Sequence, residues 1–553
     1  MAVELGEAID DGVNARVHRL AALVRRELAS QVREVVPTYR SLLLLFDPLE
    51  IEREQLQRRT ERLLARLPPG RAPRKARVVR VPVCYGGEFG PDLDFLARHT
   101  GLTPDRVVEL HASATYRIHM LGFTPGFPYL AGMPPALKAP RLDEPRARIP
   151  AGTVGIAGGQ TGIYPLESPG GWRLVGRTPL RVFDPTSPKP FLFSAGDRLR
   201  FEPVSPEEFR RIEARPARAR PPAQGRGAGE LRSVSVMKPG LLTTVQDEGR
   251  HGYRAFGVPV AGAMDRLSFA LANLLAGNPP GTAALEMTLL GAALRFEHPA
   301  YVALCGADMG PKLDGVPVAN GSAFKVSAGS ELSLGPAITG CRTYLAIQGG
   351  IEVPEVLGSR STYTRAGLGG LAGRALRAGD TLSLSPARTP PPPARALPAG
   401  FFSATGREVR LRALLGPQDD LFLGEGLSTL FASTYEVSNR NDRMGYQLEG
   451  PAIQHRTGPD IVSDALCPGA IQVPGRGTPI VMMADCQTTG GYAKVATVIG
   501  PDLARLAQAR RGDSVRFAAC SQEEALEALR AERDLFARAS AWLGESGRGP
   551  RRG

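Results

Sequence analysis

The chain has 553 residues, 42% hydrophobic and 22% charged, a soluble globular composition of about three or four domains. The formal net charge is +13. Much of the basic excess lies in "RPARARPPAQGRG" near 215–227 and "GRGPRRG" at the C-terminus, and aromatics make up only 6% without interleaving the Arg runs. This does not indicate a stacking platform for single-stranded nucleic acid, and no apolar run approaches the length of a membrane span.

In chain order, residues 3–6 read as a short strand. "VNARVHRLAALVRRELASQVREVV" sets Val13, Val17, Leu20 and Leu23 at helical spacing. "RSLLLLFD" reads as a buried strand and "LEIEREQLQRRTERLLARL" as a second amphipathic helix, closing a small α/β domain over 1–78. From 79 to 213, apart from a helix at 91–99, short apolar stretches alternate with Gly and Pro, the spacing of an all-β barrel or sandwich. Residues 214–230 form a Pro/Arg/Gly linker. Residues 231–520 are strand-rich again, with a helix at "RLSFALANLLAG" and a Pro-rich break at 385–400 that divides them into two barrel halves. A helix and a basic tail fill 521–553. "PAGTVGIAGGQTGIYPLESPGGW" (150–172) echoes "PGAIQVPGRGTPIVMMADCQTTGGY" (468–492), so related barrels are expected in both halves.

Six widely spaced cysteines form no C-x-x-C pair, which fits reduced thiols rather than a zinc site or a disulfide framework. The N-terminus has no apolar h-region, so a cytoplasmic protein is expected. There is no P-loop, nucleophile elbow or kinase set. "VMKP" around Lys238 lacks the second Met of a biotin-carrying turn.

Candidate site residues cluster in glycine-rich turns. "LGFTPGFPYLAGMP" (121–134) holds no acid, base or thiol. Its Phe123, Phe127 and Tyr129 suit a pocket wall, with the Tyr hydroxyl as a polar handle. His111 and His119 precede it and would move a proton. Arg141 and Arg146 offer guanidinium forks for a carboxylate or phosphate, or form surface ion pairs with Asp143 and Glu144. Gln160 lies within the echoed segment. Gln246, Asp247, Arg250 and Asp265 surround glycines, Asp308 follows an apolar strand, and Asp442 and Arg443 sit in "SNRNDRMGYQLEG". "MMADCQTTGGYAK" presents Asp485, Gln487, Thr488, Thr489, Tyr492 and Lys494. Amide, hydroxyl and charged groups on rigid turns are what a small polar amide needs for recognition.

"VPVCYGGEFGPDLDFLARHTG", "YRIHMLGFTPGFPYLAGMP", "APRLDEPRARIPAGTVGIAGGQTGIYP" and "SPGGWRLVGRTP" resemble the allophanate hydrolase subunit 1 family, that of the B subunits of 5-oxoprolinase. "KPGLLTTVQDEGRHGYRAFGVPVAGAMD", "LAIQGGIEVPEVLGSRST", "NDRMGYQLEGP" and "GAIQVPGRGTPIVMMADCQTTGGYAKVATVIGPDLARLAQ" resemble the allophanate hydrolase subunit 2 family, that of the 5-oxoprolinase C subunits and biotin-dependent carboxyltransferases. Together they cover most of 1–520, with 214–230 as the fusion point. The resemblance implies a mainly β chain: cyclophilin-like β-barrels preceded by a small ferredoxin-like domain.

It also implies a component of ATP-dependent 5-oxoprolinase, acting with a separate ring-opening subunit on a small amide, with ATP and Mg²⁺ as cofactors and an oligomeric assembly. Arg141, Arg146, Arg250 and Arg443 would hold carboxylate or phosphates. Asp485 or Asp247 would hold Mg²⁺ or orient the amide. The alternatives are a carboxyltransferase component acting on urea with biotin supplied in trans, since no biotin is expected on this chain, and a histidine kinase regulator.

Overall fold

In the computed structural model, residues 1–67, 76–142, 146–214, 232–387, 395–402 and 406–545 are described. The linker at 214–230 falls almost wholly outside them. So do Asp143 and Glu144, residues 388–394 of the Pro-rich break, and the basic tail from 546 on.

The N-terminal domain is β-α-β-β-α. Strands Ala2–Glu4, Ser41–Phe46 and Val32–Pro37 form an antiparallel sheet in that order. Helix Asp11–Glu27 buries Val17, Leu20, Ala21 and Val24 on one face, and Asp10 caps it by accepting from the Gly12 and Val13 amides. This helix stops at Glu27, short of the expected span, because "VREVVP" forms a strand. Its β-branched valines favour a pleated, half-buried surface. The arrangement is the first five elements of the expected ferredoxin-like domain; the next strand, Val78–Tyr85, joins a barrel instead.

Two closed barrels of seven strands follow, one in each half. The first comprises Val78–Tyr85, Tyr116–Gly122, Phe127–Ala131, Thr153–Ala157, Gln160–Ile163, Arg173–Arg177 and Arg198–Pro203. The second comprises Glu408–Leu415, Thr434–Asn441, Gly445–Glu449, Ala470–Gln472, Ile480–Met482, Lys494–Val498 and Ser514–Ala519. Numbered by chain position within each barrel, both run 6-1-7-2-3-5-4 around the wall, and both pair strands 1 and 7 in parallel. The echoed segments span strands 4 and 5 of each barrel. Each barrel also carries a two-stranded ribbon, Arg146–Ile149 with Ser168–Gly170 and Asp460–Ala465 with Thr489–Tyr492.

The first half of 231–520 is not a closed barrel. It has one sheet of seven strands and one of six. Val234, Val236, Leu294 and Leu382 of the first pack against Val245, Leu285, Leu304 and Leu345 of the second. Buried apolar residues on both sheets satisfy the layer without closure. The outer face of the six-stranded sheet is covered by helix Arg266–Leu275 and by Phe536, Ala539 and Leu543 of helix Gln522–Glu545.

The expected helix at 91–99 is observed at Leu93–Thr100. A second helix, Pro104–Ser113, follows it, with Thr103 as N-cap and Pro104 at its first position. All six cysteines are free thiols. No helix among the described residues is long and apolar enough to cross a membrane.

Candidate functional site at the seam between the two halves

The 121–134 segment forms the hairpin between strands 2 and 3 of the first barrel, and its tip crosses to the other half of the chain. Phe123, held at φ 61°, donates its amide to Thr489 Oγ1 at 2.8 Å. The Tyr129 hydroxyl lies 3.2 Å from the same oxygen. A Cβ on Gly122 would stand 2.4 Å from Thr489 Oγ1, so glycine is required for this approach. The Gly126 amide donates to the Phe256 carbonyl at 2.8 Å.

Behind the tip is an aromatic cluster. Phe127 meets Phe123, Tyr129, Tyr164 and Trp172 edge-on, with ring centroids 5.0 to 5.6 Å apart. Phe127 is 2% exposed, so it is a core residue that shapes the wall. Truncating it to Ala is expected to cost about 3–5 kcal/mol of unfolding free energy by urea denaturation.

The N-terminal domain also reaches the seam. Its turn 38–41 is pinned by Asn14, whose Nδ2 donates to the carbonyls of Thr38, Tyr39 and His119. Tyr39 is wholly buried, with its ring 5.5 Å from His119 and 5.8 Å from Tyr129. Ser41 Oγ donates to Asp464 Oδ1 at 2.5 Å, and Lys494 Nζ lies 2.8 Å from Asp464 Oδ2. Burial opposes ionisation of Asp464, but Lys494 and Ser41 outweigh it and hold its carboxyl below the usual range. Lys494 is 3% exposed. Arg141 stands at the rim, 45% exposed and 4.0 Å from Asp460. The seam thus combines an aromatic wall, the Thr489 and Tyr129 hydroxyls, a buried ammonium and a half-exposed guanidinium.

Several expected site residues are bound up elsewhere. His111 is sealed in the first barrel, its Nδ1 2.8 Å from the Tyr85 hydroxyl and its Nε2 3.0 Å from Thr161 Oγ1. Burial lowers its pKa to about 3, so it does not serve as a proton carrier near neutrality. Because the folded value lies below the ordinary 6.5, its stabilising effect is full above that value and is lost as pH falls toward about 3. Thermal melts between pH 7 and pH 4 should show a smaller decline for His111→Gln than for the parent chain.

His119 is buried at the seam margin, with Nε2 2.7 Å from Asp11 Oδ1. Burial lowers its pKa despite Asp11. Arg146 is engaged by Asp92 at 2.8 Å. Gln160 is half-buried at a barrel turn, paired in register with Ala157.

Asp247 is a loop pin that accepts from the Gly249 and Arg360 amides and the Ser359 and Ser361 hydroxyls. Arg250 is buried and donates to the Val356 and Ser361 carbonyls. Gln246 is buried and donates to Thr244 Oγ1 and the Thr362 carbonyl. Asp265 caps helix Arg266–Leu275, Asp308 accepts from the Gly310 amide, and Asp442 pairs with Arg365. Gln487 and Tyr492 are half-buried beside the seam ribbon. Thr488 is buried, and its hydroxyl has no hydrogen-bond partner among the described residues.

Arg443 and Asp485 belong to a buried clamp between the sandwich and the second barrel. Arg443 donates to both Asp485 oxygens at 3.1 and 3.0 Å, to the Gly262 carbonyl and to Glu286. Glu286 also accepts from the Met264 amide and the Tyr344 hydroxyl. Burial would raise the Glu286 carboxyl, but Arg443 and Arg342 hold it below its usual range; at Asp485 burial wins and raises it. The clamp is structural.

Sequence reading missed Ser41, Tyr39, Asp464 and Glu286. The available signal was a lone acid in an apolar strand, as in "IVSDALC" and "LEMTLL". No group of three or more His, Cys, Asp or Glu suited to a metal ion occurs among the described residues.

A sequence model of the carboxyltransferase domain, subdomain C and D, matches residues 1–193, and one of subdomain A and B matches 256–519. The C subunit of 5-oxoprolinase from Escherichia coli (strain K12) is 39% identical over 303 residues, covering 55% of this chain and 96% of that protein. The B subunit of 5-oxoprolinase from Bacillus subtilis (strain 168) is 41% identical over 219 residues, 38% of this chain and 91% of its own length. The chain belongs to the carboxyltransferase-domain family of the 5-oxoprolinase B and C subunits. The urea amidolyase of Saccharomyces cerevisiae is also similar, 34% identical over 313 residues, 53% of this chain and 17% of that protein. The crystal structure of TTHA0988 shares the fold with a TM-score of 0.82 and 38% identity, covering 94% of this chain and 99% of the other. Its coverage extends the likeness across both halves and the seam region of a single chain.

Proposed function

We propose that this chain is the fused B and C component of a 5-oxoprolinase, which prepares 5-oxo-L-proline for hydrolysis to L-glutamate with a separate ring-opening subunit. At the coarser level it is a hydrolase-type enzyme component of a multi-subunit complex, as its relatives' names imply. The observation that carries the reading is the pairing of relatives. The two parts of this chain are similar to nearly whole C and B subunits, over 96% and 91% of their lengths.

In this reading the lactam ring lies against Phe123 and the hydroxyl end of Tyr129, with Phe127 packed behind them. Arg141 takes its carboxylate as a charge-assisted pair. Thr489 and Tyr129 present hydroxyls to the amide. Lys494 stabilises negative charge developing on the amide oxygen, an effect that grows where water is excluded.

ATP with Mg²⁺ belongs to the same proposal, as the source of energy for opening a stable lactam. The expected phosphate ligands do not fit it. Arg146, Arg250 and Arg443 each donate to protein partners, and Asp247 and Asp485 are fully engaged. Nucleotide chemistry is therefore assigned to the assembled enzyme, and no step is routed through these residues.

The test is co-purification with the ring-opening subunit and an assay of ATP- and 5-oxoproline-dependent glutamate release. No release, with a ring-opening subunit active alongside its own B and C partners, overturns the proposal. The carboxyltransferase match favours one second reading, carboxyl transfer from carboxybiotin to urea. Transfer in the absence of ATP would establish it.

A further inference from the structure

We infer that Ser41 of the N-terminal domain is a positioning residue for Lys494 of the second barrel, so that docking of the two halves and completion of the seam site are one event. The inference deepens the reading of the seam as the substrate site and rests on it for its functional meaning. Its geometry stands independently.

The link spans 423 positions of sequence. Ser41 Oγ donates to Asp464 Oδ1 at 2.5 Å, and the other Asp464 oxygen holds Lys494 Nζ at 2.8 Å. A serine hydroxyl has one proton to give. With that proton on Asp464, the 2.7 Å contact between Thr38 Oγ1 and Ser41 Oγ is donated by Thr38. The Ser41 amide in turn donates to Thr38 Oγ1 at 3.1 Å. These contacts fix the rotor and point it across the seam. Asn14 holds the same turn against the His119 carbonyl of the first barrel, so the turn cannot follow Asp464 if the second barrel moves away.

A buried ion pair is stable only when its remaining hydrogen-bonding capacity is met. Ser41 supplies that on the oxygen Lys494 leaves free. Comparison of the barrels supports a specialised role. Leu174 holds in the first barrel the strand position that Lys494 holds in the second: each lies two residues after the Gly-Gly-aromatic turn and pairs with strand 4. Leu174 packs in the aromatic cluster. The N-terminal hairpin borders both barrels, with Tyr39 in the aromatic cluster that holds Leu174 and Ser41 against Asp464, and of these two equivalent positions only the one in the second barrel carries an ammonium. Tyr39, two residues before Ser41, brings a wholly buried hydroxyl that has no hydrogen-bond partner among the described residues. The hairpin therefore contributes groups to the seam beyond filling it.

The composition makes the test selective. The chain has seven lysines, and Lys494 alone is buried among the described ones; Lys138, Lys189, Lys238, Lys312 and Lys325 are exposed. Trinitrobenzenesulfonate labelling of the full-length chain, read per lysine by peptide mass spectrometry, needs neither substrate nor partner. Ser41→Ala is expected to raise the Lys494 labelling rate about tenfold, the loss of one hydrogen bond to a charged group. The five exposed lysines should be unchanged, and Ser41→Thr should stay near the parent rate. Should Ser41→Ala not fold, Ser41→Cys, whose thiol is a weak donor, is read in the same way. Parent-like labelling in the hydroxyl-deficient variant overturns the inference. So does equal acceleration in Ser41→Thr, which would make side-chain fit rather than the hydroxyl the determinant. If labelling behaves as expected and the parent chain yields no glutamate with an active ring-opening subunit, the 5-oxoproline reading fails and the coupling stands.

Discussion

Replacing Arg443 by Met is expected to destabilise the chain by about 3–5 kcal/mol, because it strands buried charge rather than deleting a contact. Arg443 is the shared cation of Asp485 and Glu286, which are 3% and 1% exposed. Arg342 is the other guanidinium beside Glu286, with its Nε 4.0 Å away. It already donates to the Tyr446 hydroxyl and the Ala507 carbonyl. Asp485, which ionises against burial, would lose its only salt-bridge partner among the described residues and take up a proton. Urea denaturation at pH 7 reads the loss as a lower midpoint. A triple replacement that also removes both carboxylates should recover most of the stability, since a well-packed apolar cluster is often as stable as the ion network it replaces. A midpoint for Arg443→Met equal to the parent's would show that water reaches the clamp.

The second large effect is on turnover. Lys494→Met should lower 5-oxoproline-dependent glutamate release by about 10²–10³-fold, the usual consequence of removing one group that stabilises developing negative charge in a water-excluded site. Asp464 would be left buried beside Ser41 alone, so some instability is expected as well. The double variant Lys494→Met, Asp464→Asn separates the two effects. It removes the stranded charge and keeps an acceptor for Ser41 Oγ. Its melting temperature should return toward the parent's while activity stays lost. If activity returned with stability, Lys494 would be a fold residue and the chemistry would lie elsewhere.

Much of the architecture was legible in the sequence. Repeated Gly-Gly-aromatic segments at 150–172 and 468–492 announced two related barrels because tight turns demand glycine at fixed places whatever the surroundings. The helix at 266–275 and the paired N-terminal helices followed from apolar spacing. Closure was not legible for 231–384. Strands of a sandwich and of a barrel alternate in the same way, and only the pairing of edge strands distinguishes them.

Several of the expected site residues are engaged within the fold, for a physical reason. Asp247, Arg250 and Arg443 on glycine-rich turns, and His111 on helix Pro104–Ser113, carry chemistry-bearing side chains, yet each is engaged within the fold. A charged or polar group inside a protein must find partners, and the same residue types meet that need in cores and in active sites alike. "LGFTPGFPYLAGMP", which holds no acid, base or thiol, contributes Phe123, Phe127 and Tyr129 to an aromatic cluster. Its close approach to Thr489 was unknowable from a segment more than 360 positions away.

By itself, then, the sequence determined the local elements, the duplicated barrel and the family, because turn glycines, caps and apolar periodicity act over a few residues. Only the tertiary structure decided which of the many polar residues meet. Ser41 meets the Asp464–Lys494 pair from 423 positions away, and that meeting depends on how two half-chains bury their apolar faces against each other. That is a property of the packed whole, and no local pattern encodes it.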